Sequence, residues 1–335
     1  MELREVLRMT RKLPQTLDEH IAEAEEVERL GVTIDEFRKP KLIAIGINDF
    51  LSKKLPPREF IIQPCLPKQG LVMIYAKRGV GKTYFALFLA CKIASGASLF
   101  GDKWKIGKQW RVLYIDGEMP ANAMQERLKT LMVDSVENNN LSIITRDAQS
   151  NGMMPNLATD EGQAALEPHI ENADVIIVDN LSTLTSHGKE NEAASWDPIA
   201  NWALRLRSIG KSIIFIHHAG KNNEQRGTSK KEDILDTVIN LKHPSDYDSK
   251  QGARFEIHFE KSRGFAGEEA EAFEVRLELN DDKANWQVSK IEDLELERVV
   301  KLSSDGLSQR DIANETGISL SSVNRLLKKS REVKN

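Results

Sequence analysis

The chain has 335 residues, a formal net charge of −4 and 40% hydrophobic content, the composition of a globular protein with room for about two domains. Two cysteines, Cys65 and Cys91, are too few for a disulfide framework or a structural zinc site. No stretch approaches the ~18 apolar residues that span a bilayer, and Met1 to Thr10 alternates charge where a signal peptide builds an apolar core, so the reading is a cytoplasmic protein without membrane contact.

Residues 1–59 read as an N-terminal appendage, charged and broken by prolines, with a helical stretch over Thr16 to Leu30 and a polar exit at Lys53 to Arg58. From Phe60 the texture changes to short apolar runs at Gly70 to Tyr75, Trp110 to Ile115, Leu141 to Thr145, Val175 to Val178 and Ser212 to Ile216. Continuous apolar runs fit buried parallel strands, and the segments between them are long enough for crossover helices, so residues 60–290 read as an α/β core domain. After Glu232, alternating segments at Arg254 to Lys261 and Glu271 to Leu279 read as strands that extend the sheet antiparallel, closing near Val288. Residues 291–335 have helical spacing interrupted by Gly306 and Gly317 and read as a small all-α domain.

The most informative run is Ala76, Lys77, Arg78, Gly79, Val80, Gly81, Lys82 and Thr83, which follows an apolar strand and leads into a helix beginning at Tyr84. It is a Walker A loop. Its glycines let successive backbone N–H groups turn toward phosphate oxygens, and the helix N-terminus adds a favourable dipole. Lys82 then neutralises the β- and γ-phosphates of ATP while the Thr83 hydroxyl ligates Mg²⁺. Ala76 replaces the first glycine of the pattern without removing a phosphate donor. A second strand ends at Asp179 in Ile-Ile-Val-Asp-Asn, where a carboxylate would hold the Mg²⁺ water shell.

Asp179 is followed by Asn180, so the base that activates water lies elsewhere. Glu118, just past the strand Trp110 to Ile115 in Asp116-Gly117-Glu118, would sit at the carboxyl edge of a doubly wound sheet, with Asp116 the alternative. The strand Ser212 to Ile216 leads into His217-His218, where His218 could touch the γ-phosphate and report its loss to the following loop.

The order of these motifs resembles the RecA-like P-loop ATPases, specifically the RepA-type hexameric replicative helicases of plasmids and their DnaB- and KaiC-like relatives, over about residues 60 to 288. The carriers are Ala76 to Thr83, Asp116-Gly117-Glu118, Ile176 to Asn180, Phe215 to Lys221, Arg226-Gly227-Thr228-Ser229 and Glu260-Lys261-Ser262-Arg263-Gly264. The resemblance implies that Lys261 and Arg263 reach into the neighbouring subunit's nucleotide site, stabilising charge on the transferred phosphoryl group. It also implies two pore loops, Ser182 to Asp197 and Ala219 to Gly227, the second with Lys221 and Arg226 placed to track the phosphates of single-stranded DNA. Lys189 stands against Glu190 and Glu192 in the first, which weakens its nucleic-acid case.

Ser308 to Leu327 resembles a helix-turn-helix, with Leu307, Ile312 and Ala313 facing a small core, Gly317 making the turn and Ile318, Val323 and Leu326 burying the second helix. Its exposed side would present Ser321, Ser322, Asn324, Arg325 and Lys328 to duplex DNA. The expectation is an ATP- and Mg²⁺-dependent helicase or translocase of plasmid or phage type replication, hydrolysing ATP between subunits of a homo-oligomeric ring, a hexamer in the family. The competing readings are an ATP-switched DNA-binding regulator or helicase loader, and a filament-forming recombination ATPase.

Overall fold

The computed structural model describes residues 43–131, 139–185, 193–219, 232–280 and 283–332, together with residues 21, 24–25, 27–29 and 31. The chain divides into two compact units, Met1–Pro57 and Arg58–Asn335. Of the helix expected over Thr16 to Leu30, residues 21, 24–25 and 27–29 are described and are helical. The first unit also holds a short helix, α1 (Ile47–Ser52), whose Ile47, Phe50 and Leu51 are exposed. Sequence reading missed it, because six residues are too few to reveal a period.

The second unit begins with the short antiparallel pair β1 (Phe60–Ile62) and β2 (Leu66–Pro67). The elements that follow are β3 (Leu71–Ala76), α2 (Lys82–Ser95), β4 (Val112–Asp116), α3 (Ala121–Leu131), β5 (Leu141–Thr145), α4 (Asp160–Ile170), β6 (Val175–Asp179), α5 (Leu181–Leu184), α6 (Ala193–Ser208) and β7 (Ser212–His218). Then come β8 (Thr237–Lys242), β9 (Arg254–Ser262), β10 (Phe273–Asn280) and β11 (Lys283–Lys290). One nine-stranded sheet results, in the order β11-β10-β9-β8-β3-β7-β6-β4-β5.

Strands β8 to β5 of that order are mutually parallel, and β9, β10 and β11 extend the sheet antiparallel. This is an α/β fold with a mostly parallel central sheet. Every residue of β3, β4 and β6 is buried, which is why they read as unbroken apolar runs. One face, with Val72, Ile74 and Tyr114, packs against α2 and α3; the other, with Met73, Tyr75 and Phe215, packs against α4 and α6. The antiparallel extension begins at β9, at the segment Arg254 to Lys261 where the sequence reading put it. Thr237–Lys242, which the sequence reading did not single out as a strand, pairs parallel with β3, and its Val238, Ile239 and Leu241 belong to the buried core.

Beneath α2 lies an aromatic cluster in which Phe85 meets Phe100, Trp104, Phe255 and Trp286 at centroid separations of 5.6 to 6.5 Å. Removing the Phe85 ring would cost about 3–5 kcal/mol, through lost burial and the cavity left behind. The cluster therefore anchors the helix that follows the Walker A loop.

Three helices end the chain: α7 (Ile291–Ser304), α8 (Gln309–Thr316) and α9 (Leu320–Glu332). Val299, Ile312, Val323 and Leu326 form their own small core, with Leu307, Ala313 and Ile318 packed at its margin. Ser308 caps α8 by accepting from Asp311 N at 3.3 Å. Lys290 is at once the last residue of β11 and the N-cap of α7, and Arg298 donates to Ser245 Oγ at 3.1 Å, so the helices belong to the same compact unit as the sheet. Among the described residues no helix is long and apolar enough to cross a membrane.

Candidate nucleotide site

Strand register aligns the ends of four parallel strands: Ala76 pairs with His218, Ile216 with Asp179, and Asp179 with Asp116. A cleft therefore opens at the carboxyl edge of the sheet, where open α/β sheets place their ligands. It encloses about 520 Å³, and its walls include Arg78, Gly79, Gly81, Lys82, Thr83, Tyr84, Glu118, Arg127, Asp179 and His218.

The Walker A loop takes its form from its glycines. Gly79 has φ +85° and Gly81, the N-cap of α2, has φ +108°, conformations in which a Cβ would be strained. No side chain caps α2 and no acidic residue lies in its first turn, so its leading N–H groups and positive dipole end are suited to an anion. Val80 differs from its neighbours: its side chain is 2% exposed and packs in the core, so only its backbone can serve the site. Lys77 is exposed, and both its carbonyl and that of Ala76 accept from Lys82 Nζ, at 2.9 and 3.0 Å.

Burial pushes the Lys82 ammonium down to about 8, with Asp179 and Glu118 opposing the shift. Burial likewise pushes the Asp179 carboxyl up to about 6, opposed by the hydroxyls of Tyr114 and Thr83. Tyr114 O–H donates to Asp179 Oδ2 at 2.6 Å. The Thr83 hydroxyl and Asp179 carboxylate form a hard-oxygen pair beside the glycine loop, a donor set that fits Mg²⁺.

Glu118 and Asp116 are separated by their surroundings. Asp116 Oδ1 accepts from the backbone N–H groups of Glu118 and Met119, each at 2.7 Å, and the side chain is buried, so it shapes the turn that carries Glu118. The Glu118 side chain is 63% exposed to the cleft; its Oε2 accepts from Asn180 Nδ2 at 2.5 Å and lies 3.9 Å from His218 Nε2. Asn180 is thus a neighbour of the site that sequence reading passed over as the absence of a glutamate. Arg127, on α3, is another. The sequence reading did not single it out, and in the fold it lines the cleft from the helix that follows the Glu118 turn.

Lys261 and Arg263 are not brought to this cleft. Lys261 pairs with Val238, which pairs with Met73, three residues before Ala76, or about 10 Å down the sheet. Arg263 N donates to Asp236 O and Asp236 N to Leu71 O, both at 2.8 Å, which puts Arg263 about 17 Å from the Ala76 level and two strands aside. Lys221, Arg226 and most of the two expected pore loops lie outside the described residues. Ser321, Asn324, Arg325 and Lys328 lie on the exposed side of α9, with Ser322 half-buried, far along the chain from the cleft.

A glycine loop, a lysine, a hydroxyl and a strand-end aspartate converging at the carboxyl edge of a parallel sheet define a P-loop nucleotide-binding protein. Residues 11–224 match the AAA domain family, well over half of the chain, and the chain belongs to that family of ATPases. No curated protein gives a significant match. Similar solved structures include a KaiC-like protein of the hyperthermophilic archaeon Pyrococcus horikoshii OT3, 15% identical over 68% of this chain and 93% of that one, with a TM-score of 0.48. The flagellar accessory protein FlaH of Methanocaldococcus jannaschii is 14% identical over 67% of this chain and 91% of that one, with a TM-score of 0.45.

Proposed function

We propose that the protein is an ATP-driven DNA helicase or translocase that hydrolyses MgATP between subunits of a ring. One subunit supplies Gly79, Gly81, Lys82, Thr83, Glu118 and Asp179, and the next supplies Lys261 and Arg263. The carrying observation is the distance between these groups within one chain: two cations at the opposite end of the sheet have no route to their own phosphates, whereas a neighbour's cleft can meet them. In the cleft, Glu118 orients the attacking water, and Asn180 and His218 fix its carboxylate. Thr83 and Asp179 would hold Mg²⁺, which would supply positive charge to screen the phosphates. When the γ-phosphate leaves, His218, at the end of β7, passes the change to the segment that follows. Lys221 and Arg226 in that segment then hold single-stranded DNA, and α8 and α9 act as a helix-turn-helix on duplex DNA through Ser321, Ser322, Asn324, Arg325 and Lys328.

A loader or regulator is the second reading, favoured by one observation: α7 follows β11 with no linker, an arrangement suited to carrying a conformational change to a recognition helix. The test is ATP turnover with and without single-stranded DNA, run beside strand displacement on a forked duplex and a mass measurement of the assembly. DNA-stimulated turnover with unwinding by a closed ring is the expected result. ATP-dependent binding without displacement selects the loader or regulator, and an open helical polymer on DNA selects the filament reading.

A further inference from the structure

We infer that Arg58 is a third cation of the trans site, standing beside Lys261 and Arg263 to bind the terminal phosphate oxygens of the nucleotide held by the neighbouring subunit. The inference rests on the trans reading of Lys261 and Arg263 given above.

Three cations are gathered on one short segment. Lys261 Nζ donates to the carbonyl of Glu232, and Arg263 Nη2 to that of Asp233 at 3.3 Å. Arg58 Nη2 lies 3.8 Å from Asp236 Oδ1. These partners fix positions without cancelling charge. The first two are backbone carbonyls, and among the described residues neither Lys261 nor Arg263 forms a contact ion pair. Asp236 is buried, and its Oδ2 already accepts from Arg207 and, at 3.0 Å, from Leu71 N. Arg207 therefore supplies the counter-charge that a buried carboxylate needs, and Arg58, with 51% of its side chain exposed, sits at the rim.

Gly264 explains how Arg58 reaches that rim. It has φ +100°, and a Cβ built there would lie 3.2 Å from Arg58 Nη1. The guanidinium thus lies over the turn that ends Lys261-Ser262-Arg263, in space a side chain at 264 would contest. Among the described residues, the acids at this patch are Glu232, Asp233 and Asp236 and the cations are Arg58, Arg207, Lys261 and Arg263, four positive charges against three negative. Burial lowers the Lys261 ammonium, and the charge of Arg263 lowers it further, the mark of like charges held close. An incoming oxyanion relieves that repulsion, and planar guanidinium groups suit the spread oxygens of a phosphate.

Trans action has a signature that a structural role lacks. In Arg58→Ala, turnover should fall about tenfold or more, with KM for ATP within about twofold of wild type. Lys82→Ala should be inactive. In an equimolar mixture, an Arg58→Ala subunit supplies an intact cleft and a Lys82→Ala neighbour supplies an intact Arg58. About a quarter of the interfaces in a random ring are then whole, and turnover should recover to that order. Arg263→Ala mixed with Lys82→Ala is the control for the trans reading. Recovery in the control but not in the Arg58 mixture overturns the role of Arg58 alone; recovery in neither, with assembly intact by mass, overturns the trans reading with it. If Arg58→Ala does not fold, Arg58→Gln, which can still hydrogen-bond Asp236 but carries no charge, takes its place in the same mixtures. Wild-type turnover in either folded variant also overturns the inference.

Discussion

Tyr114 and Asp179 stand on adjacent parallel strands, offset by one rung pair on the same face, and the tyrosine hydroxyl donates to Asp179 Oδ2 at 2.6 Å. The bond holds the carboxylate in one orientation beside Thr83, with which it also hydrogen-bonds, so the pair is preset for the divalent ion it would hold. Hydrogen bonds to charged groups contribute about 1.5–3 kcal/mol, so Tyr114→Phe should weaken divalent binding in the nucleotide complex by about tenfold or more. Titration of Mn²⁺ with ADP, followed by electron paramagnetic resonance, reads this directly. Unchanged Mn²⁺ affinity would sink the assignment.

The charge of Lys82 sets a pH dependence with a definite sign. Burial holds its ammonium down to about 8, and nucleotide phosphates must raise it. Nucleotide binding near pH 8 therefore takes up protons, and affinity should fall by up to about tenfold per pH unit above that value. Asp179, pushed up to about 6, shifts oppositely when a divalent ion binds, so protons are released near that pH. Calorimetry in buffers of different ionisation enthalpy counts both. Lys82→Ala should remove the uptake near pH 8 and abolish hydrolysis.

Glu118→Gln should leave ATP binding near wild type and lower turnover by about 10²- to 10⁴-fold, the range for a positioned base. Asn180→Ala, which frees Oε2 of Glu118 from its 2.5 Å contact, should lower turnover less and leave KM little changed. An Asn180 variant more damaged than Glu118→Gln would mean that the amide touches nucleotide itself.

Arg127 lines the cleft from α3 and, among the described residues, makes no hydrogen bond to Asp116, Glu118 or Asp179. Arg127→Ala should act mainly on nucleotide affinity, raising KM for ATP severalfold while turnover at saturation stays within about threefold. Loss of turnover with unchanged KM would move Arg127 into the chemistry.

Truncation after Lys290 removes α7, α8 and α9 with their own core. Basal ATP turnover should persist and duplex DNA binding should weaken, measured by fluorescence anisotropy. Equal duplex affinity in the truncated protein would take the recognition role away from α9.

Local grammar explains what was legible. The Walker A loop is contiguous with its strand and helix, so Ala76 to Tyr84 could be read entire, and Asp179 and Glu118 followed from the rule that sites gather at strand ends. Long-range register is written in no local pattern. That is why the strand Thr237–Lys242, parallel to β3, was not read from sequence, and why Asn180, Arg127 and Arg58 were not singled out. Each owes its place to elements distant in sequence: Asn180 to Glu118 on the β4 turn, Arg127 to the packing of α3, Arg58 to Asp236 and Gly264.

The seam at Lys290, where a strand becomes a helix within one residue, works as a welded joint. A flexible tether would let the terminal helices search a volume and would blunt any torque passing through it. Here no tether intervenes between β11 and α7, and Arg298 of α7 is braced to Ser245 by a hydrogen bond of 3.1 Å. The terminal helices are therefore joined to the sheet without a tether, and a change in the direction of β11 would change the direction of α7 with it.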